Sequence, residues 1–445
     1  MHHQSALVAS RVLMGDSLGF HIIFVLFGLT LPILVCWFEW MGLRRRDDKL
    51  ITVAKLWSKL MVVLVIAGAI SGTIIALQMS LVWPGILQFG GQVIGLPFIF
   101  ESYAFIVEAV FLALYVATWG SKRISPYLHL GFGLMIVLGA TMTAYAITSV
   151  NAFMNLPAGF SFIHGKITNI DVVAAMFSPT AIIEFVHSMP AYYLAASLVM
   201  ASLYSFRLLR ARFSQRTESQ HRMDRFIIQK LMIFAAIMIV LAAITGDLTG
   251  KYLAKHEPVK LATIEGVQAT TTHVPLIFGG VTNANGTVTG AYLKIPDALS
   301  ILAGGSPDTT VQGLSKVPLD QRPPSYIHVL FDLKLTLIGV LVGMLALYFL
   351  LRWLRPAWLT RSSTLIVMGI LGFGGLIVVE LGWMVTEIGR QPWAVHGYVT
   401  TEQALTKTHD ISSFGYFFPL SYAGLFLVTI LAIRKLLVDD KRSRA

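Results

Sequence analysis

Apolar and polar positions fall in long blocks along this chain rather than in short periods. A membrane helix needs about 20 mostly apolar residues. Nine windows of that kind lie near 17–38, 57–78, 93–119, 128–150, 180–206, 226–246, 327–350, 363–386 and 413–433. The first is read as a retained helix rather than a secretion signal. Met1-His2-His3 is no basic leader, and a run of 22 residues is too long for the apolar part of a signal peptide. The polar blocks are short except for 247–325, which is rich in Gly, Pro and Thr. A connection of that length is usually functional or disordered. The pattern predicts an all-α polytopic membrane protein: helices 1–6 over residues 1–246, an extracytoplasmic loop over 247–325, and helices 7–9 with a tail over 326–445. No internal or inverted repeat of the transporter kind is visible.

Basic residues sort by side. Arg44 to Arg46, Lys122, Arg123, Arg207 to Arg225, Arg352, Arg355, Arg361 and Lys441 to Arg444 follow helices 1, 3, 5, 7 and 9. The segment 79–92 has no Lys or Arg, 150–178 has only Lys166, and 387–412 has only Arg390 and Lys407. The positive-inside rule then places the N-terminus outside and the C-terminus in the cytoplasm. An odd number of spans follows, and nine agrees. The implied location is the inner cell membrane, with the lipid bilayer as solvent.

Composition narrows the class. Of 445 residues, 56% are hydrophobic and 13% charged, against about 25% charged in a soluble chain. This excludes disorder, a coiled coil, an ordinary cytosolic enzyme and a protein whose basic tail binds nucleic acid. The net charge of +11 is mostly cytoplasmic anchoring. A single cysteine, Cys36, excludes internal disulfides, thiolate zinc, Fe–S clusters and covalent haem attachment.

Charge inside apolar spans is costly and marks function by default. Helix 1 carries His21, helix 3 Glu101 and Glu108, helix 5 Glu184 and His187, helix 7 Asp332 and Lys334, and helix 8 Glu380 with Glu387 at its end. A spacing of seven puts Glu101 and Glu108 on one face, as does i,i+3 for Glu184 and His187. At ~1.5 Å per residue, Glu101, His187 and Lys334 lie roughly 10–13 Å below the outer helix ends, and Glu380 about 9 Å. His21 is somewhat shallower and Glu108 nearer the midplane. One layer in the outer half favours a haem or an ion site and does not separate the two. Asp332 and Lys334 are also near enough to the surface to snorkel.

The residues that carry a family likeness are SLGFHIIF around His21, FGG-x-x-x-G-x-P before Glu101 and Glu108, and EFVH ending at His187. They continue with GDLTG at 246–250, PVKLATIEG at 258–266, VELGWMVTEIGRQPWAV at 379–395, and TTEQALT. The chain resembles subunit I of the cytochrome bd-type quinol oxidases over nearly its whole length, with a quinol loop of the shorter kind. The resemblance implies a quinol:dioxygen oxidoreductase with a low-spin haem b, a high-spin haem b, and a third haem of d or b type. It also implies a second membrane subunit. By the same resemblance His187 ligates the low-spin haem. His21 and Glu380 are axial ligands of the two high-spin haems, in an order left open. Glu101 and Glu108 serve proton delivery, Arg11 and Arg390 suit haem propionates, and Lys260 with Glu265 forms the quinol-site pair.

Departures concentrate at the low-spin haem. FDLKLTLIG places Lys334 where the family pattern has a methionine ligand, and Met344 is about 15 Å further along the axis. Three arrangements are compatible: a neutral lysine as ligand, a five-coordinate or differently bound haem, or Lys334 paired with a propionate. Leu376 replaces a common tryptophan, and Glu184 adds a carboxylate one turn from His187. Two alternatives stand beside the quinol oxidase: a diverged member with another donor or without oxidase activity, and a proton-coupled transporter using the same intramembrane carboxylates.

Overall fold

The computed structural model describes residues 2–211, 217–283, 286–407 and 412–442. Its long helices are α1 (His2–Arg45), α2 (Asp48–Leu81), α3 (Pro84–Ala117), α4 (Pro126–Asn155), α5 (Pro179–Ala211) and α6 (Glu218–His256). After the short helix α7 (Pro258–Glu265) come α8 (Ile327–Leu354), α9 (Ser362–Leu371), α10 (Gly374–Gly389) and α11 (Ser412–Arg442). Among the described residues nine helical spans, with α9 and α10 forming one, are long and apolar enough to cross a membrane. Each overlaps one predicted window. Arg212, Arg216 and Arg444 of the basic linkers lie outside the described residues.

The helices outrun their windows because hydropathy registers only the ~30 Å hydrocarbon slab. Backbone hydrogen bonding continues past it until a cap intervenes. At the start of α6, Gln220 N donates to Thr217 Oγ1 at 3.3 Å and Thr217 N to Gln220 Oε1 at 3.1 Å, a reciprocal capping box. Ser125 caps α4 ahead of Pro126, whose missing N–H costs nothing at a first helical position.

The chain divides into two compact units, residues 1–185 with 401–445, and residues 186–400. In the first, α1 packs on α2 and α4, α3 on α4, and α11 on α1 and α2. The α3–α4 approach is set by Gly139: a Cβ there would lie 2.8 Å from Glu108 N and 3.0 Å from Ala104 O. A buried network ties three helices together. Glu39 accepts from Tyr115 Oη at 2.5 Å and meets His129 Nδ1 at 2.6 Å, while His129 Nε2 donates to Tyr115 O at 2.9 Å.

The second unit holds the long connection, which is folded. Its first ten residues complete α6, and α7 follows, ended by Gly266 in the left-handed region at φ 66°. Ala262, Val267, Val274, Leu299, Val311 and Leu314 form a small apolar core beneath two short antiparallel ladders. Three polar contacts fasten this layer to α8 and its approach. Gly279 N donates to Asp332 Oδ2 at 2.7 Å, Thr282 Oγ1 to Ser325 O at 2.9 Å, and His328 Nδ1 to Ile264 O at 2.7 Å. Asp332 is thus buried and bonded rather than snorkelling. The eighth span breaks at Gly372, where a Cβ would stand 1.9 Å from Ser202 Oγ and 2.6 Å from Leu198 O of α5.

Candidate functional site

Helix α7 is buried from Lys260 to Glu265. Lys260 Nζ lies 3.1 Å from Glu257 Oε2, and both side chains are shielded. The stem of Lys260 rests on Gly389 of α10, where a Cβ would come within 2.9 Å of Lys260 Cε and of Ile327 Cδ1. The KLATIE and GRQPW motifs are therefore two halves of one packing contact. Arg390 is buried beside Glu387 at 2.5 Å, yet its Nε and Nη1 have no hydrogen-bond partner among the described residues. Burial, and after it the nearby Asp332, pushes the Glu265 carboxyl up to about 8. Burial holds His396 below the ordinary imidazole range; Glu257 acts against that, and Lys260 and Arg390 add to it. Lys260 and Arg390, predicted for different roles, thus share one polar cluster with Glu257 and His396, while Glu265, at the other end of the same short helix, has Asp332 as its charged neighbour.

Elsewhere in the same unit, His187 of α5 points its Nδ1 at Thr245 Oγ1 of α6, 3.2 Å away. A Cβ on the next residue, Gly246, would lie 3.3 Å from His187 Cε1. Lys334 of α8 is half-buried and directed at α10, where a Cβ on Gly382 would be 3.8 Å from its Nζ. Its Nζ is 5.5 Å from the Phe331 ring centroid, and it makes no ion pair among the described residues. Glu380 of α10 has a buried Oε1 with no hydrogen-bond partner among the described residues. Glu184, which belongs to the first unit, accepts from Asn155 Nδ2 at 2.8 Å.

In the first unit, His21 of α1 points Nδ1 at Ser71 Oγ of α2, 2.8 Å away. A Cβ on Gly72 would lie 3.2 Å from His21 Cε1. Glu108 is buried under Gly139, and Glu101, two turns earlier on α3, is half-buried. Arg11 donates to Thr401 Oγ1 of the TTEQALT motif.

Sequence reasoning passed over several of these residues. Glu39 and His129 sit at the edges of apolar windows, where a charge looks like a helix end; their pairing across α1 and α4 was the missing signal. His328 and Glu257 lie beside motifs without belonging to them. Ser71 and Thr245 are ordinary helix residues until the imidazoles they meet are known.

The class is a polytopic helical membrane protein that presents single imidazole, carboxylate and amine donors inside its spans. The sequence profile of the cytochrome bd terminal oxidase subunit I family matches residues 9–441, and the chain belongs to that family. It is 34% identical, over 99% of both chains, to a protein of Bacillus subtilis (strain 168) provisionally described as a cytochrome bd menaquinol oxidase subunit I. It is 25% identical to cytochrome bd ubiquinol oxidase subunit 1 of the same organism, over 97% of this chain and 94% of the other. The bd oxidase structure from Geobacillus thermodenitrificans matches with a TM-score of 0.91 at 35% identity, over 99% of this chain and 100% of that one.

The donors fit haem better than a bare ion. Among the described residues no three His, Cys, Asp or Glu side chains converge as an ion cage would require. A haem iron takes only one or two axial donors from the protein. Both histidines keep Nε2 clear of hydrogen-bond partners among the described residues, and each ring is flanked by a glycine whose Cβ would crowd it. The partnerless Glu380 oxygen and Arg390 N–H groups call for a ligand and an anion respectively.

Proposed function

We propose that this chain is the haem-carrying subunit of a quinol:dioxygen oxidoreductase that works with a second membrane subunit. The observation that carries it is the donor set just described: His21, His187 and Glu380 each keep a ligating atom unengaged inside an apolar helix. When bound, haem supplies one-electron carriers and an iron that binds and reduces oxygen to water.

The chain's own residues divide the remaining work. Lys260 and Glu265 bind the quinol head group and accept its protons on the outer side. Glu265, poised near pH 8, alternates between carboxylate and acid over the range such a base requires. His187 and Lys334 supply the low-spin haem b donors. A lysine amine can do so only when unprotonated, and among the described residues no carboxylate pairs with Lys334 to hold the proton there. His21 and Glu380 serve the two high-spin haems, one b and one d or b. Arg390 and Arg11 hold propionates.

With the N-terminus outside, Glu108 takes protons from the cytoplasmic side and passes them to Glu101. Quinol protons leave outside and oxygen's protons come from inside, so turnover separates charge without a pump. The location is the inner cell membrane.

The test is the reduced-minus-oxidised visible spectrum of the purified enzyme with quinol-driven oxygen uptake. The expected result is b-type bands with quinol-dependent uptake that falls roughly 10–100-fold in Lys260→Ala, the loss of a charged hydrogen bond of about 1.5–3 kcal/mol. Haem bands with uptake driven only by another donor would point to the diverged reading instead.

A further inference from the structure

His21 and His187 lie on different helices in different units, yet the next transmembrane helix answers each with a hydroxyl residue followed by a glycine. A hydroxyl faces Nδ1: Ser71 Oγ at 2.8 Å from His21 and Thr245 Oγ1 at 3.2 Å from His187. A glycine follows it and lies against Cε1, at Cβ distances of 3.2 Å for Gly72 and 3.3 Å for Gly246.

Neither hydroxyl has a proton to give to its histidine. Ser71 donates to Gly68 O at 2.9 Å, and Thr245 to Leu241 O at 2.8 Å with Ala242 O at 3.3 Å. A carbonyl can only accept, so the hydroxyl proton is committed to its own helix. The oxygen that remains is an acceptor. Nδ1 must then carry the ring hydrogen, and Nε2 carries the lone pair. The opposite tautomer would set two lone pairs against each other at Nδ1 and leave Nε2 protonated, unable to bind metal.

Serine and threonine bond back to their own helix often in membranes, so one such contact could be incidental. Two arrangements matching in atom, residue order and glycine contact are harder to assign to packing alone. GDLTG begins with Gly246, which gives part of that motif a physical reason.

We propose that Ser71–Gly72 and Thr245–Gly246 are positioning pairs that fix the tautomer and ring plane of two haem-ligating histidines, with Nε2 as the iron-facing atom. The inference rests on the haem reading above and assigns to it Ser71, Gly72 and Thr245, which lie in none of the motifs, together with Gly246, the first residue of GDLTG. The hydroxyl holds the ligating tautomer and raises the basicity of the imidazole; the glycine leaves the ring space to lie flat against the neighbouring helix. Partners of this kind typically carry 10–100-fold in metal affinity.

The experiment uses the purified two-subunit enzyme and reads haem content, band position and midpoint potential of the low-spin haem, besides turnover. Thr245→Val keeps the shape and removes the acceptor. Expected are haem retention weakened about tenfold or more and a ferrous-to-ferric ratio raised about threefold at fixed potential, roughly 30 mV. The sign follows from the weaker imidazole donor stabilising ferric iron less. Thr245→Ser restores both readouts, and Gly246→Ala shifts the band by turning the ring. Ser71→Ala and Ser71→Thr repeat the pattern at a high-spin signal, which keeps the test open where the Val variant does not assemble. Potentials and haem content equal to the parent's in Thr245→Val and Ser71→Ala, with the low-spin band lost in His187→Ala, overturn the positioning role and leave the haem reading standing. A low-spin band that persists in His187→Ala removes the haem assignment and this inference with it.

Discussion

Gly389 lies directly against Lys260: a Cβ on the glycine would stand 2.9 Å from Lys260 Cε and 3.1 Å from Lys260 Cγ. The contact joins the end of the eighth span to the short helix of the long connection, so backbone shape at one motif fixes a charged side chain in the other. Gly389→Ala is expected to displace the lysine and destabilise the fold by roughly 1–3 kcal/mol, the usual cost of overpacking. The quinol KM should rise while haem content stays at the parent level. Steady-state oxygen uptake over a quinol series checks this, and an unchanged KM would separate Gly389 from the quinol site.

Glu265 sets a pH dependence whose sign can be worked out. Its folded-state value is pushed from 4.5 up to about 8. Between those values the folded protein keeps a proton that the unfolded chain has released, so this group's contribution to stability falls as pH rises and levels off above about 8. Glu265→Gln should flatten that part of the slope in melting curves taken from pH 5 to pH 9. Quinol oxidation should show the opposite trend, rising as the carboxylate forms, and be lost in the variant. Equal slopes in variant and parent would contradict the assignment.

Lys334 stands where the family pattern has a methionine, and its amine is proposed as the second low-spin donor. Lys334→Ala should convert the low-spin signal to high-spin. Lys334→Met should keep it and raise the midpoint potential, because a thioether favours ferrous iron. A low-spin band that survives Lys334→Ala rejects lysine as a required ligand.

Glu108, buried where Gly139 brings α4 onto α3, is expected to relay protons before Glu101. Glu108→Gln should abolish the proton-uptake signal from the cytoplasmic side in vesicles while leaving the reduced-minus-oxidised spectrum in place. An unchanged uptake signal sinks the relay.

Much of the fold is legible in the sequence because a membrane imposes one simple rule. Every span must be long and apolar, and each of the nine windows overlaps a helix. The rule is silent where water returns. It gave no sign that 247–325 folds around Ala262, Val267 and Leu314, since a small core made from scattered apolar residues leaves no periodic mark. It also misjudged Asp332, whose position near a helix end suggested snorkelling; its actual partner is a backbone N–H 53 positions away, at Gly279.

The candidate site divides in the same way. His21, Glu101, Glu108, His187, Lys334 and Glu380 stand out in the sequence because an ionisable group in an apolar span carries a solvation penalty that few positions tolerate. What each can do was decided only by tertiary structure. The lone pair of an imidazole is placed by whichever atom meets the other nitrogen, and Ser71 and Thr245 come from other helices. Lys260 is fixed by Gly389, some 130 residues away. Hydrophobic patterning, summed locally along the chain, determined the apolar spans and the residues that break them. Hydrogen bonds and close contacts act at about 3 Å between distant segments, so only the folded chain determined their chemistry.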